Sequence, residues 1–376
     1  VKPLSIVVTS SANPHVKFYY EDLSNTAFFK LEAICEEDPV RLKYAEDFFA
    51  AKGMKVSFYT DWRLMMEKHR GVDAVIVGSD NFHHHEQVMA AAALGKHVYS
   101  MKVLSMDEAQ CREMIAACRK AKVLLQVELE LHFNAQYRRM RERIRAGALG
   151  KLDALYISNI SQSPICYYPN WGDPLLSYGK VVPIRPGETI CRGGALTDHP
   201  HPFDLARWLT GKEFKRVWAV SGKNMRPQLK VEDHVAITGE LEGGTKVFIN
   251  PSYAHLEEQA NTRRLYWPKS LEVMVKAYGK KGLLAADYWH KPAYLIADGW
   301  PSPNRLMMDA APRLSQGFLP KRVSAVKLVG ETRFGSFYLA TQGQRAIESS
   351  GEDGLAAVRV MNACYESIST GKSVSL

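Results

Sequence analysis

Short apolar runs alternate with amphipathic stretches over the first third of the chain. Leu4–Val8, Leu31–Cys35, Val72–Val77, His97–Tyr99 and Lys122–Glu128 are compact and largely apolar, and read as strands. Between them Val40–Lys52, Asp61–His69, His84–Leu94 and Met106–Lys120 carry helical spacing. Ser105, with Glu108 three residues on, reads as a capping box for the last of these. Strands alternating with helices of about 10–15 residues imply right-handed βαβ units and a parallel sheet. Such sheets bind ligands outside the carboxyl ends of their strands, so the chemistry is expected just after each strand.

From Leu131 the pattern changes. A helix over Ala135–Ala146 stops at Gly147, and Leu152–Ile160 reads as a strand. A helix over His201–Thr210 precedes strands at Arg216–Ser221, His234–Leu241, Thr245–Pro251 and Glu272–Tyr278. The Glu242-Gly243-Gly244 link between two of these predicts an α+β domain, with a mostly antiparallel open sheet and helices on one face. Two irregular regions, Ser163–Arg192 and Trp289–Pro320, are rich in aromatic residues. The chain closes on a helix, Gly351–Thr370, stopped by Gly371. Two domains are expected, over 1–130 and 131–376, with the closing helix 351–370 packing back on the first.

The chain has 376 residues, 46% of them hydrophobic and 24% charged, which excludes long disorder. No apolar run reaches the roughly 18–20 residues needed to span a bilayer, and Val1–Thr9 does not read as a leader, so no membrane partner is expected. The formal charge of +9 is a mild excess. The basic run Arg138–Arg145 has helical spacing and reads as a solvated helix face rather than a phosphate site. Basic residues are not interleaved with stacking aromatics, so nucleic acid is not an expected partner. Six cysteines form no Cys-x-x-Cys pair, which sets aside a thiolate zinc site and fits a reduced, cytoplasmic protein.

Four phrases, in order along nearly the whole chain, resemble the Gfo/Idh/MocA family of nicotinamide-dependent sugar oxidoreductases. They are Val72–Asn81 with His84 and Ala93–Val98, leading to Met101-Lys102-Val103; Ala146–Leu152; Gly193–Leu209; and Ser350–Gly354 through Thr370–Lys372. The resemblance implies a Rossmann domain with a doubly wound parallel sheet, followed by an open-sheet α+β domain that often supports oligomers, here a homodimer or homotetramer. It implies hydride transfer between NAD and a secondary hydroxyl of a sugar, cyclitol or glycoside. Two alternatives stay open: a glycosidase or lyase that uses bound NAD transiently, and a non-catalytic sugar-binding relative that has lost its cofactor.

By the same resemblance, Lys102, Asp198 and His201 are the catalytic residues, and Ser79, Asn81, His84 and Lys102 line the cofactor. His199 is an extra imidazole beside them, expected to bind substrate; a metal held by Asp198, His199 and His201 is a weaker reading, and no metal is expected. In the run His83-His84-His85, successive helix side chains diverge by about 100° and cannot converge on one ion. Tyr168 and Trp171, in the first irregular region, are expected to stack on sugar rings, although such aromatics equally plug interfaces. Two features depart from the family. The turn after the first strand, Thr9–His15, has no glycine, so Ser10, Ser11 and Asn13 must meet the pyrophosphate with every Cβ present. Val103 replaces the proline of the family's Glu-Lys-Pro, so the Lys102–Val103 bond is expected to be trans. Glu36, ending the second strand, can accept both ribose hydroxyls and repel a 2′-phosphate, favouring NAD over NADP.

Overall fold

The computed structural model describes residues 2–13, 15–161, 183–187, 191–225, 229–253, 272–288, 294–296, 314–315 and 332–376. Tyr168 and Trp171 lie outside these residues. The chain forms two compact units. The first holds residues to Leu129 and, of the described residues beyond, 332–358; the second holds the remainder. Among the described residues no helix is long and apolar enough to cross a membrane.

The first unit is a six-stranded, all-parallel sheet. Its strands are β1 (Leu4–Val8), β2 (Phe29–Cys35), β3 (Ser57–Tyr59), β4 (Ala74–Val77), β5 (His97–Ser100) and β6 (Leu125–Val127). Their spatial order, β3-β2-β1-β4-β5-β6, is that of a doubly wound dinucleotide-binding fold, with its switch point at β1 and β4. Every residue of β4 is buried, because helices cover both faces of the sheet. The helix Val16–Ser24 and the three-residue β3 escaped the sequence reading. The capping expectation is corrected: Asp107, not Ser105, caps Glu108–Ala121, accepting the Ala109 N–H at 2.7 Å. Ser105 instead accepts the Asp107 N–H at 3.1 Å. A further helix, Arg333–Thr341, inserts Phe334 among Tyr19, Tyr99 and Phe29, with ring centroids 5.1–5.6 Å apart. These aromatics join Ile6, Val8 and Ile76 in one apolar core.

In the second unit β7 (Leu152–Ile160), β8 (Phe214–Val220), β9 (Ala236–Leu241), β10 (Lys246–Ser252), β11 (Glu272–Gly279), β12 (Gly282–Asp287), β13 (Tyr294–Ile296), β14 (Leu314–Ser315) and β15 (Val374–Ser375) make a nine-stranded sheet. All neighbours are antiparallel except β7 and β10, which run parallel. Gly243 and Gly244 take positive φ in the β9–β10 link, a backbone region open to glycine at little cost. Helices Ala135–Arg145 and His201–Thr210 pack on one face. The other face is open and aromatic: Tyr156 is 43% and Trp218 42% exposed, and Tyr156 stacks on Phe248 at 4.6 Å.

Candidate functional site

In the first unit the polar residues gather at the carboxyl edge of the sheet. The turn after β1 is closed by its own hydrogen bonds. The Ser11 N–H donates to Glu36 Oε2 (2.8 Å), the Ala12 N–H to Ser10 Oγ (3.0 Å), the Asn13 N–H to the Gly78 carbonyl (2.9 Å) and the His15 N–H to Asn13 Oδ1 (3.0 Å). Residue 14 is proline and has no N–H. The Ser11 hydroxyl is fully buried and shares a hydrogen bond with the Tyr20 hydroxyl. A glycine-rich turn presents free amides to a pyrophosphate; this turn has spent these amides on the protein.

What the edge offers instead is side chains. Asn13 Nδ2, Ser79 Oγ, both amide atoms of Asn81, and Glu128 Oε2 are buried, without hydrogen-bond partners among the described residues. A buried polar group left unpaired costs about 1–3 kcal/mol, so a concentration of them at one sheet edge marks a place built for a polar ligand. Gly78 lets the loops after β1 and β4 meet: a Cβ there would lie 2.2 Å from the Ser10 carbonyl oxygen and 2.7 Å from Val16 Cγ2. The donors and acceptors at this edge fit a dinucleotide held chiefly by side chains.

Glu36 is buried at the end of β2. Beyond the Ser11 amide it accepts the Asp38 N–H (3.0 Å) and an Arg41 guanidinium N–H (2.8 Å). His84 is fully buried, with Nδ1 2.9 Å from the Val103 carbonyl and Nε2 3.1 Å from the Ser79 carbonyl. Burial pushes its pKa down, against the backbone carbonyls that face both nitrogens, and the ring sits between the loops after β4 and β5. His83 and His85 pair separately with Asp80 and Glu113.

Lys102 is 2% exposed. Its bond to Val103 is cis, which corrects the trans expectation. Val103 is buried and its carbonyl faces His84, so packing rather than a proline ring fixes this loop. Glu128, directly after β6, was not singled out from sequence, although its place after a strand was the available signal. Its carboxylate takes a hydrogen bond from the Tyr19 hydroxyl and lies 3.1 Å from His15 Nδ1.

The second unit assembles Asp198, His199 and His201, all buried. Gly194 begins the short helix Ala195–Asp198; a Cβ on it would meet the Glu232 carbonyl oxygen at 1.9 Å. Glu232 holds that helix start, accepting the N–H groups of Gly194 (3.1 Å) and Leu196 (3.0 Å) and the Tyr365 hydroxyl proton (2.7 Å). His199 Nε2 lies 3.0 Å from Ser161 Oγ, its Nδ1 lies 3.7 Å from Asp198 Oδ2, and its ring meets Tyr253 edge-on. Among the described residues no group of three or more His, Cys, Asp or Glu side chains is arranged to hold a metal.

His201 opens the helix His201–Thr210, whose Asp204 lies 2.8 Å from His132 Nε2 in a fully buried pair. His132 stacks on Trp208 at 4.5 Å, and Arg141 covers the Trp208 ring at 4.4 Å. Arg145 donates to the Trp208 carbonyl at 3.0 Å. The expected solvated face holds for Arg143 and Arg145, which are exposed, and is corrected for Arg141, which is half-buried over Trp208; Arg141 and Arg145 both brace the helix that carries His201. Sequence reasoning missed His132 because its partner lies in a distant segment.

Burial pushes the Glu232 carboxyl up to about 7, against the hydrogen bonds that favour its charged form. A carboxyl whose folded pKa is raised gives stability that is full below the usual carboxylate range and is lost as pH rises through about 7. Glu232→Gln keeps an acceptor oxygen without the charge. We expect the fall in melting temperature of the wild type between pH 5 and 8 to be smaller in this variant; parallel pH profiles would remove Glu232 as its source.

Comparison with known proteins agrees with this architecture. A family model described as an oxidoreductase family with NAD-binding Rossmann fold matches residues 9–129, and the GFO/IDH/MocA C-terminal domain matches residues 137–285. A myo-inositol 2-dehydrogenase of Thermotoga maritima is 29% identical over 217 residues, a stretch spanning 57% of each chain. Among solved structures, an aldose-aldose oxidoreductase of Caulobacter crescentus complexed with glycerol superposes with a TM-score of 0.74 at 20% identity, covering all of both chains. The WlbA dehydrogenase of Bordetella pertussis, in complex with NADH and UDP-GlcNAcA, gives 0.75 at 19% identity, covering 100% of this chain and 99% of that one. At these identities the structural likeness is one of fold. The chain belongs to the Gfo/Idh/MocA family of oxidoreductases.

Proposed function

We propose that the chain is an NAD-dependent dehydrogenase that removes hydride from a secondary hydroxyl of a cyclitol, sugar or glycoside. The observation that carries this reading is the set of unpaired buried groups of Asn13, Ser79 and Asn81 at the edge of the first sheet, beside the buried Lys102. Asn13 and Asn81 reach the pyrophosphate and nicotinamide ribose, with Ser79 beside them; Ser10, Ser11 and His84 shape the walls. Glu36 accepts the adenosine ribose hydroxyls. Bound NAD supplies the hydride acceptor.

Lys102 holds the substrate oxygen and stabilises the negative charge that develops on it as the hydroxyl proton leaves. His201 takes that proton, and Asp198 orients the imidazole. His199, held by Ser161, binds a second substrate hydroxyl. Tyr168 and Trp171 are proposed as sugar-stacking residues on their aromatic character alone. The likeness to a myo-inositol dehydrogenase supports a cyclic polyol as the first substrate class to try. The open aromatic face of the second sheet supports a homo-oligomer, and the composition a cytoplasmic setting.

The test is steady-state reduction of NAD with a panel of cyclitols, aldoses and glycosides. Net NADH with one class supports the dehydrogenase; glycoside cleavage without net NADH overturns it in favour of transient redox. Cofactor choice has its own test. Glu36→Gln removes the charge that repels a 2′-phosphate and leaves Arg41 beside the ribose. We expect the preference for NAD over NADP to fall by about tenfold or more, the worth of one charge-assisted hydrogen bond. An unchanged ratio removes Glu36 from cofactor selection.

A further inference from the structure

We infer that Glu128 is the positioning residue for Lys102, supplied from the neighbouring strand. The inference rests on the reading above, in which Lys102 holds the substrate oxygen. Strands β5 and β6 pair in parallel with Ser100 opposite Val127, and the Glu128 N–H donates to the Ser100 carbonyl at 2.9 Å. One residue further, the register sets Glu128 beside Met101, immediately before Lys102. Met101 is itself wholly buried in the apolar core, so the residue preceding the lysine on its own strand offers no charge.

Glu128 is fully buried and Lys102 nearly so. Isolated charges at such depth are strongly unfavourable, and each is tolerable only with a partner of opposite sign. One carboxylate oxygen is held by Tyr19 and His15, which fixes the plane of the group. The other oxygen is buried without a hydrogen-bond partner among the described residues. Burial alone would raise the Glu128 pKa; His15, the Lys102 charge and the Tyr19 hydroxyl together hold it well below the usual carboxylate range. An ionised, rigidly held carboxylate beside a flexible four-carbon stem restricts where the ammonium points. Positioning a reacting group to within about 1 Å governs rates strongly.

The experiment is a double-mutant cycle with Glu128→Gln, Lys102→Met and the double variant, followed by unfolding midpoint, NAD affinity and steady-state kinetics. In unfolding, the double variant is expected to lose less than the two single losses combined; strict additivity would overturn the pairing whether or not the reaction has been identified. In kinetics, Glu128→Gln is expected to lower kcat by roughly tenfold to a hundredfold, with KM and NAD affinity near wild type. That loss should vanish in the Lys102→Met background, and Glu128→Asp should restore part of it. A Glu128→Gln enzyme with wild-type kcat, or an equal loss in the Lys102→Met background, would overturn the inference. Wild-type turnover by Lys102→Met, with the unfolding coupling intact, would instead remove the lysine from the reaction and leave only the electrostatic coupling of the two residues standing.

Discussion

Lys102→Met should lower kcat by about two to four orders of magnitude, the range for losing a positioned proton-transfer or charge-stabilising group. Methionine keeps most of the length of the lysine stem, so the cavity is small and the change is chiefly one of charge. Glu128 keeps Tyr19 and His15 as partners, which lets the first unit fold at a lowered melting temperature. NAD affinity should change little, because the groups proposed to hold the dinucleotide lie on Asn13, Glu36, Ser79 and Asn81. Steady-state kinetics with a parallel NAD titration separates these effects. A wild-type rate would take Lys102 out of the mechanism.

Gly78→Ala should act on the cofactor edge itself. The added Cβ would sit 2.2 Å from the Ser10 carbonyl oxygen, a backbone atom that cannot swing aside. Relief requires the loops after β1 and β4 to separate, and the Asn13–Gly78 hydrogen bond joins those same loops. Overpacking of this kind costs about 1–3 kcal/mol. The displaced loops carry Asn13, Ser79 and Asn81, so NAD affinity should fall by about tenfold or more, the equivalent of one lost hydrogen bond to a charged group. Gly71→Ala is the control, since a Cβ there meets nothing within 4 Å. Thermal unfolding and NAD titration of both variants read the difference; equal behaviour would mean that the two loops need no close approach.

Much of the first sheet was legible because buried parallel strands are short apolar runs, and Val72–Val77 could hardly be read otherwise. The carboxyl-end rule pointed to the positions just after each strand, and the family resemblance named Ser79, Asn81 and Lys102 among them. The misses share a cause: they depend on contacts between residues far apart in sequence. Phe334 and Tyr338 enter a core begun by Leu4 and Tyr19, over three hundred residues earlier, and no local pattern joins them. His132 gains its meaning only from Asp204, and Glu128 only from Lys102, His15 and Tyr19. The glycine-free turn was visible in sequence, whereas the engagement of its amides was not, since that depends on Glu36 and Gly78. The helix Val16–Ser24 follows Pro14 and carries three aromatics, which blurred its helical period beside the turn. The cap was read at Ser105, two residues early, because it is fixed by backbone geometry, with Asp107 extended and its carboxylate on the Ala109 amide.

Binding of the dinucleotide is the step on which the chemistry depends, because these turn amides are spent and the burden falls on side chains. The direct measurement is a calorimetric titration of purified protein with NAD, after denaturing a sample to identify any nucleotide carried through purification. Co-purified NAD, or binding in the range of about 1 μM to 1 mM, is the expected result, weakened in a variant carrying both Asn13→Ala and Asn81→Ala. Absence of bound nucleotide together with no heat up to roughly millimolar NAD would contradict it, and would leave a family fold without its redox cofactor.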